Sequence, residues 1–114
     1  MKKHILRFNI INKQTFLDIK SWKKKVETRA ATIKYRNIEK GDILVLLCGK
    51  EKIEKKILEV KKFKSVRSLF KHFPIKIVQP GRSKTLKESE EIFYSYPGYR
   101  EKIKENGLIA FKIS

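Results

Sequence analysis

The sequence Ile43-Leu44-Val45-Leu46-Leu47-Cys48 is an uninterrupted apolar run, and it follows the turn-forming sequence Glu39-Lys40-Gly41-Asp42. A short apolar run that is bounded by turn residues is typical of a strand buried on both faces. We therefore place this strand at the centre of the hydrophobic core and expect other strands of the sheet to lie beside it.

Four further segments have the composition of strands. They span residues 4–11, 25–30, about 55–63 and 107–113. The third of these is ambiguous, because Ile53, Ile57 and Val60 also have helical spacing. We favour a strand that begins near Lys55, because such a strand can pair with the apolar run across Gly49.

Three helices are expected between the strands. Asn12 is predicted to cap a helix that ends near Trp22. Ser65 is predicted to cap a second helix that ends at Phe73, and a third helix is expected over residues 85–94. A five-stranded mixed sheet with inserted helices predicts a small α+β barrel. A chain of 114 residues predicts one domain, spanning residues 1–114.

The charge of the chain indicates an anionic partner. Twenty-nine Lys and Arg residues face 12 Asp and Glu residues, which gives a formal net charge of +17. The excess positive charges repel one another, which favours a polyanionic partner such as RNA, DNA or an anionic membrane. A genome rich in the nucleotides A and T would raise the frequencies of lysine, isoleucine and asparagine together, yet only four asparagines are present. We therefore favour nucleic-acid binding over a merely solvated basic surface.

Other classes of protein are disfavoured by the sequence. Cys48 is the only cysteine, so one chain can form neither a disulfide framework nor a cysteine zinc cluster. His4 and His72 lack metal-ligand spacing, and we expect no metal and no cofactor. No apolar stretch is long enough for a membrane span, and the amino terminus lacks a signal-like run. We expect a soluble, cytoplasmic monomer.

The segment Ser21-Trp22-Lys23-Lys24-Lys25-Val26-Glu27-Thr28-Arg29 places a single glutamate in a strongly cationic stretch. The basic residues around Glu27 are Lys20, Lys23, Lys24, Lys25, Arg29, Lys34 and Arg36. A strand over residues 25–30 puts Glu27 and Arg29 on one face and Val26, Thr28 and Ala30 on the other. The pattern indicates a site that binds a polyanion and in which the one acidic side chain has a function of its own.

The same segment resembles the ASCH domain family, a relative of the PUA RNA-binding fold. The family signature is a helix ending in Gly-x-Lys, followed by x-x-Glu-x-Arg. Lys24, Glu27 and Arg29 match this signature, whereas Trp22 replaces the glycine. The resemblance implies a PUA-like small mixed β-barrel of about five to six strands with two to three inserted helices.

Further pieces resemble the family in the same order, over nearly the whole chain. They are the turn Lys40-Gly41-Asp42, the helix from Ser65 to Phe73, Pro80-Gly81, Tyr94-Ser95-Tyr96-Pro97, and Asn106 to Phe111. The resemblance implies an RNA-binding module, which is the function we favour. Charge alone does not distinguish DNA from RNA, so DNA stays an alternative. A membrane partner would need a longer basic amphipathic helix than residues 65–73 provide.

The residues of the motif suit the recognition of a nucleotide. Lys24 and Arg29 carry donors for phosphate oxygens, and Glu27 can accept from an exocyclic amine or a ribose hydroxyl. The competing interpretation is an ordinary cross-strand ion pair between Glu27 and a nearby basic residue, worth about 0–1 kcal/mol if it is exposed. Trp22, Tyr35, Tyr94, Tyr96 and Tyr99 are candidates for stacking on a base. The complete set of predicted nucleic-acid-binding residues is Lys23, Lys24, Lys25, Glu27, Arg29, Lys34, Arg36, Arg82 and Tyr96.

A second basic group contains Arg67, Lys71, Lys76, Arg82 and Lys84, with no acidic residue between positions 60 and 87. It either extends a phosphate track or forms a solvated surface.

An enzymatic function is the alternative that the resemblance implies. Some small ASCH relatives are amidohydrolases that remove the acetyl group of 4-acetylcytidine, and others have been proposed as ribonucleases. Lys24 matches the catalytic lysine of these amidohydrolases, and cationic neighbours are expected to lower its pKa. Glu27 occupies the position of their threonine, so the catalytic candidates are Lys24 and Glu27. The nearest candidates for their catalytic glutamate, by region, are Glu88, Glu90 and Glu91.

Overall fold

The computed structural model describes residues 1–114. The strands are β1 (Lys3–Phe8), β2 (Val26–Ala30), β3 (Ile43–Cys48), β4 (Glu51–Phe63) and β5 (Leu108–Ile113). The helices are α1 (Lys13–Lys20), α2 (Val66–His72), α3 (Ile75–Val78), α4 (Leu86–Ser95) and α5 (Tyr99–Asn106). Short 3₁₀ turns occupy Ile10–Asn12 and Ile33–Tyr35.

The five strands form one curled sheet in the order β1-β3-β4-β5-β2. β1 and β3 are parallel, and the other three pairs are antiparallel. The predicted α+β class with a small, mixed, barrel-like sheet is therefore confirmed. β3 lies between β1 and β4, and four of its six residues are buried, as the apolar run predicted.

The long strand β4 joins the two halves of the sheet. It begins at Glu51, directly after the turn at Gly49, and not near Lys55 as predicted. Its first half pairs with β3 and its second half with β5, with a register irregularity between Ile57 and Glu59. The predicted boundary was late because charged residues alternate with single apolar ones at the start of β4, where only one face is covered.

The core has two parts. One cluster, which contains Phe8 and Phe16, packs α1 against the strands. The other cluster contains Phe93 and Ile103 and packs the helices of the carboxy-terminal half against β2 and β5. This division positions a cavity where the two clusters meet, because Phe8 and Phe93 both line it.

Of the two helix caps that the sequence predicted, at Asn12 and Ser65, only the one at Ser65 is present. The Ser65 hydroxyl accepts from the Ser68 N–H in a capping box, and Thr85 caps α4 by accepting from the Glu88 N–H. Asn12 precedes α1 but its side chain makes no capping hydrogen bond, so that prediction was wrong. The residue already has a nearly helical backbone, since it ends a 3₁₀ turn, and β1 correspondingly stops at Phe8 rather than at residue 11.

The helix count of two to three was too low, because α3 and α5 are also present. α3 is a single turn that follows Pro74. α5 buries only Ile103 among otherwise exposed or half-buried residues, so its apolar periodicity is weak. No helix of the chain is both long enough and apolar enough to cross a membrane.

Candidate functional site

A cavity of about 230 Å³ opens between the two core clusters. Its walls come from five parts of the chain: the end of β1, residues 12–18 around α1, residues 24–29 with β2, residues 78–82, and residues 93–99. Lys24, Glu27 and Arg29, the three matched positions of the sequence motif, all line it. The fold thus places the motif inside a pocket and not on an open basic surface.

The turn between α1 and β2 carries Lys24 into the pocket. Trp22 has a φ of +69°, the only positive φ outside glycine in the chain. Such a backbone conformation suits glycine better than tryptophan. The Lys24 N–H then donates to the Asp18 carbonyl at 2.9 Å, and the Lys25 N–H donates to the Ile77 carbonyl at 2.9 Å.

Lys24 is a buried lysine, with 7% of its surface exposed. Its Nζ atom donates to the Val78 carbonyl oxygen. Burial lowers the pKa of Lys24 below its usual value, although the negative charge of Glu27 opposes that shift. Arg82 and Arg29 add to the lowering of this pKa. The predicted direction is therefore present, but its main cause is desolvation and not the neighbouring lysines in the sequence.

Glu27 is buried at the floor of the pocket, with 4% of its surface exposed. Its Oε1 atom accepts from the Thr28 N–H at 2.8 Å. Its Oε2 atom lies 3.6 Å from Arg29 Nη2 and has no hydrogen-bond partner. Glu27 thus forms an ion pair with a basic residue, as the competing interpretation expected, but the pair lies within one strand and its carboxylate is buried. A buried acceptor without a partner is rare in proteins and calls for a functional explanation.

Arg29 forms the second charged wall. Its guanidinium lies 5.1 Å from the centroid of the Phe8 ring and 6.0 Å from that of Tyr35. Burial by itself lowers the pKa of Arg29, but Glu27 and Tyr35 outweigh burial and raise it above the usual value. Arg29 is therefore a permanent cation beside the free oxygen of Glu27.

Aromatic side chains form the opposite wall. Tyr96 packs edge-on against Tyr99 with ring centroids 5.2 Å apart, and against Phe93 at 6.4 Å. Burial raises the pKa of Tyr99, so its phenol stays protonated at neutral pH. Tyr96 thus lies where the sequence placed it, in the pocket. Trp22 instead lies 55% exposed outside the pocket, over Lys55.

Arg82 crosses the mouth of the pocket. Its Nη1 atom donates to Thr15 Oγ1 at 3.1 Å and to the Tyr96 hydroxyl at 3.4 Å. Gln79, which sequence reasoning missed, is buried behind it and accepts from Ser83 Oγ at 3.0 Å through its Oε1 atom. Asp18 was also missed and accepts from Gln14 Nε2 at 2.9 Å. No local pattern marks either residue, because tertiary packing alone brings them to the pocket.

Several predicted residues lie outside the pocket. Lys23 and Lys25 are exposed on either side of Lys24 in the chain. Lys34 lies 5.5 Å from the centroid of the Tyr35 ring, and Arg36 donates to the Ala31 carbonyl and to Asn106 Oδ1. These four cations surround the motif in sequence but do not line the cavity.

The glutamates of α4 do not reach the pocket either. Glu88 is bonded to Thr85, and Glu90 pairs with Arg67. None of Glu88, Glu90 and Glu91 lines the cavity, whose only carboxylates are those of Asp18 and Glu27. No group of three or more His, Cys, Asp or Glu side chains is arranged to hold a metal ion.

Comparison with known proteins gives fold relatives. No family model matches the chain, and no curated protein matches it. The crystal structure of hypothetical protein PH0355 is 26% identical, with a TM-score of 0.84, over 100% of this chain and 98% of that one. The solution structure of Protein PF0455 from Pyrococcus furiosus is 25% identical, with a TM-score of 0.72, over 97% of this chain and 96% of that one.

The chain shares its fold with both. That fold is compatible with a small PUA-like barrel, and neither description states a function.

Proposed function

We propose that this protein is an RNA-binding module of the ASCH class, with a PUA-like fold, whose pocket holds the base of one nucleotide. The observation that carries the proposal is the free Oε2 atom of Glu27, which is buried in the pocket without a hydrogen-bond partner. A ligand that donates an N–H or O–H group there would satisfy it.

The chemistry of the pocket indicates which hydrogen-bond donor the ligand would carry. Carboxylates accept from the exocyclic amine of cytosine in protein–nucleic acid contacts. The Glu27 carboxylate lies between Lys24 and Arg29, whose charges keep an acceptor available there. The proposed preference is therefore for a base that carries an exocyclic amine over uracil, whose donor is the ring N3–H alone.

The size and walls of the pocket suit one base. About 230 Å³ is smaller than the roughly 300–1,000 Å³ of pockets for drug-sized ligands. The rings of Phe8, Phe93, Tyr96 and Tyr99 give it aromatic surfaces, and base–aromatic stacking contributes about 1–3 kcal/mol per base. Single-stranded RNA presents bases that can leave the stack and enter such a site.

The charge of the surface supports a polymeric partner. Only four of the 29 Lys and Arg side chains, namely Lys3, Lys20, Arg29 and Arg67, pair with a carboxylate. Most of the other cations are exposed and remain available to phosphates, Lys24 and Lys55 being buried exceptions. A single nucleoside carries no phosphate for these cations to contact. An RNA strand carries many, and its phosphates would bind the cations with release of counterions.

The test compares base preference in labelled single-stranded RNAs that differ in one central nucleotide, at two salt concentrations. Glu27→Gln should change the order of preference among the bases and leave the slope of affinity against salt unchanged. Tyr96→Leu should weaken all four RNAs together, because stacking tolerates every base. Glu54→Gln, which removes an exposed carboxylate outside the pocket, is the control. Equal losses on all four RNAs for Glu27→Gln, or no binding by the wild type, would overturn the proposal.

A hydrolase is the second candidate, and the buried Lys24 is the observation that favours it. A lysine with a lowered pKa has a larger fraction of neutral amine, which can act as a base or nucleophile. Incubation with 4-acetylcytidine, followed by chromatographic detection of cytidine, and incubation with labelled RNA, followed by gel analysis, test this function. Product that disappears with Lys24→Ala would place the hydrolase ahead of the binding module.

A further inference from the structure

A second concave surface adjoins the pocket on the far side of the segment formed by residues 78–84. Val78, Gln79 and Pro80 line the pocket, whereas Gly81, Ser83 and Lys84 line the neighbouring groove. Arg82 lines both. A single chain segment thus separates two cavities, and one guanidinium connects them.

The groove is cationic and nearly free of apolar side chains. Its charged residues are three cations, Lys76, Arg82 and Lys84, and one anion, Glu88. None of the three cations forms an ion pair with a carboxylate. Glu88 is held at the start of α4, where its Oε1 atom accepts from the Thr85 hydroxyl at 3.0 Å. The groove therefore carries an excess of positive charge that no neighbouring group neutralises.

Arg82 has donors left for a ligand. Its Nη1 atom serves Thr15 and Tyr96, whereas its Nε and Nη2 atoms make no hydrogen bond within the chain. The planar guanidinium binds phosphate through two parallel hydrogen bonds, and Lys76 and Lys84 add point charges on the same groove. By contrast, the Ser83 hydroxyl already contacts Gln79 and Ser89.

We propose that this groove, defined by Lys76, Arg82 and Lys84, binds the phosphate next to the nucleotide whose base occupies the pocket. The inference rests on the proposed function and narrows it. The ligand is then a phosphorylated nucleotide within a strand, and not a free nucleoside. Arg82 acts as the link, since it contacts the pocket wall at Tyr96 and also lines the groove.

The test is calorimetric titration of the four ribonucleosides, their 5′- and 3′-monophosphates, and inorganic phosphate. The monophosphate of the preferred base should bind roughly tenfold more tightly than its nucleoside, as one added charge-assisted contact provides. Lys76→Ala/Lys84→Ala should reduce this difference, because only the Arg82 contact remains, and leave nucleoside binding unchanged. Both side chains are exposed, so their removal leaves the core intact.

The matched control is Lys50→Ala/Lys52→Ala, which removes the same charge from two exposed residues that line neither cavity. On a single-stranded RNA, the groove variant should lower the slope of log affinity against log salt by at most about 0.7, the value for one phosphate contact, because both lysines face the same phosphate. The control should retain the preference for the monophosphate.

Three outcomes would overturn the inference. If nucleoside binding depends on Glu27 but the phosphate adds no affinity, the groove is not a phosphate site and the proposed function stands. If inorganic phosphate alone binds as tightly as the monophosphate, the groove is an anion site independent of the pocket. If neither nucleosides nor nucleotides bind, both the groove and the proposed function fail.

Discussion

Glu27 Oε2 and Arg29 Nη2 lie 3.6 Å apart inside the pocket, and Lys24 lies buried beside them. The Glu27 carboxylate therefore offsets the charges of one buried lysine and one half-buried arginine. Oε2 is too far from Nη2 for a hydrogen bond, so the pair stabilises the pocket through charge while the oxygen stays free. This arrangement links the stability of the fold to the acceptor that we propose for a ligand.

Glu27→Gln should destabilise the protein by about 3 kcal/mol, because it removes the main counter-charge of the buried Lys24 and the half-buried Arg29. Glu54→Gln, which removes the exposed partner of Lys3, should change the unfolding free energy by about 0–1 kcal/mol. Urea unfolding of both variants measures the difference. Adding Arg29→Met to Glu27→Gln should recover part of the loss. Equal stabilities for Glu27→Gln and Glu54→Gln would contradict a buried ion pair.

The buried Lys24 should make stability depend on pH in the alkaline range. Its pKa is lowered in the folded chain and returns to the usual value on unfolding, so between these two values the unfolded chain binds more protons. The unfolding free energy therefore rises with pH across that window, since the penalty for burying the charge is lost as Lys24 deprotonates. Above about pH 10 the raised pKa of Tyr99 acts in the opposite direction.

Lys24→Met should flatten this rise, and Lys23→Met, which removes the exposed neighbour, should preserve it. The measurement is urea unfolding at intervals from about pH 8 to pH 10, just below the usual values of lysine and tyrosine. Lys55, whose pKa is also lowered by burial, contributes a similar rise that stays in both variants. An unchanged slope in Lys24→Met would show that Lys24 titrates normally in the folded chain.

Trp22 combines a strained backbone with a favourable side-chain contact. Its φ is +69°, and the Lys55 Nζ atom lies 3.3 Å from the centroid of its ring. Trp22→Ala loses the cation–π contact and keeps the strain, whereas Trp22→Gly loses the contact and relieves the strain. Trp22→Gly should therefore be more stable than Trp22→Ala by about 1 kcal/mol. Thermal unfolding compares them, and a less stable glycine variant would contradict the argument.

The sheet could be predicted from the sequence because its signals are local. The apolar run of β3 carries its own burial pattern, and Ser65 and Thr85 mark helix starts through their own hydroxyl groups. α5 could not be predicted in this way, since Ile103 is its one buried residue and the packing partners of that residue come from other elements.

The candidate site could be predicted only in part. Lys24, Glu27 and Arg29 are close in sequence, so their resemblance to a known motif identified them. Their burial could not be predicted, because a cationic stretch is normally solvated. Thr28 illustrates the reason, since it was placed on the opposite face from Glu27 yet lines the same pocket. Residues 78–82 and 93–99 enclose β2 from a distance of about 50 residues or more along the chain, and no local pattern records that approach.

Gly107, between α5 and β5, gives the last test of the fold around the site. Its φ is +77°, and a Cβ atom at this position would lie 2.5 Å from the carbonyl oxygen of Phe63. Gly49 has a similar φ of +59° but no atom within 4 Å of such a Cβ. Gly49→Ala should therefore destabilise by about 1 kcal/mol, through the backbone alone.

Gly107→Ala should destabilise by clearly more, because the Phe63 carbonyl belongs to β4 and cannot move without breaking its pairing with β5. The Gly107 carbonyl also accepts from the Ala31 N–H at 2.9 Å, so a shift here would reach the end of β2 and the wall of the pocket. The difference in unfolding free energy between the two variants, measured by urea unfolding, gives the cost of the steric clash beyond the cost of the backbone conformation. Equal losses for the two glycines would show that the α5–β5 connection tolerates displacement.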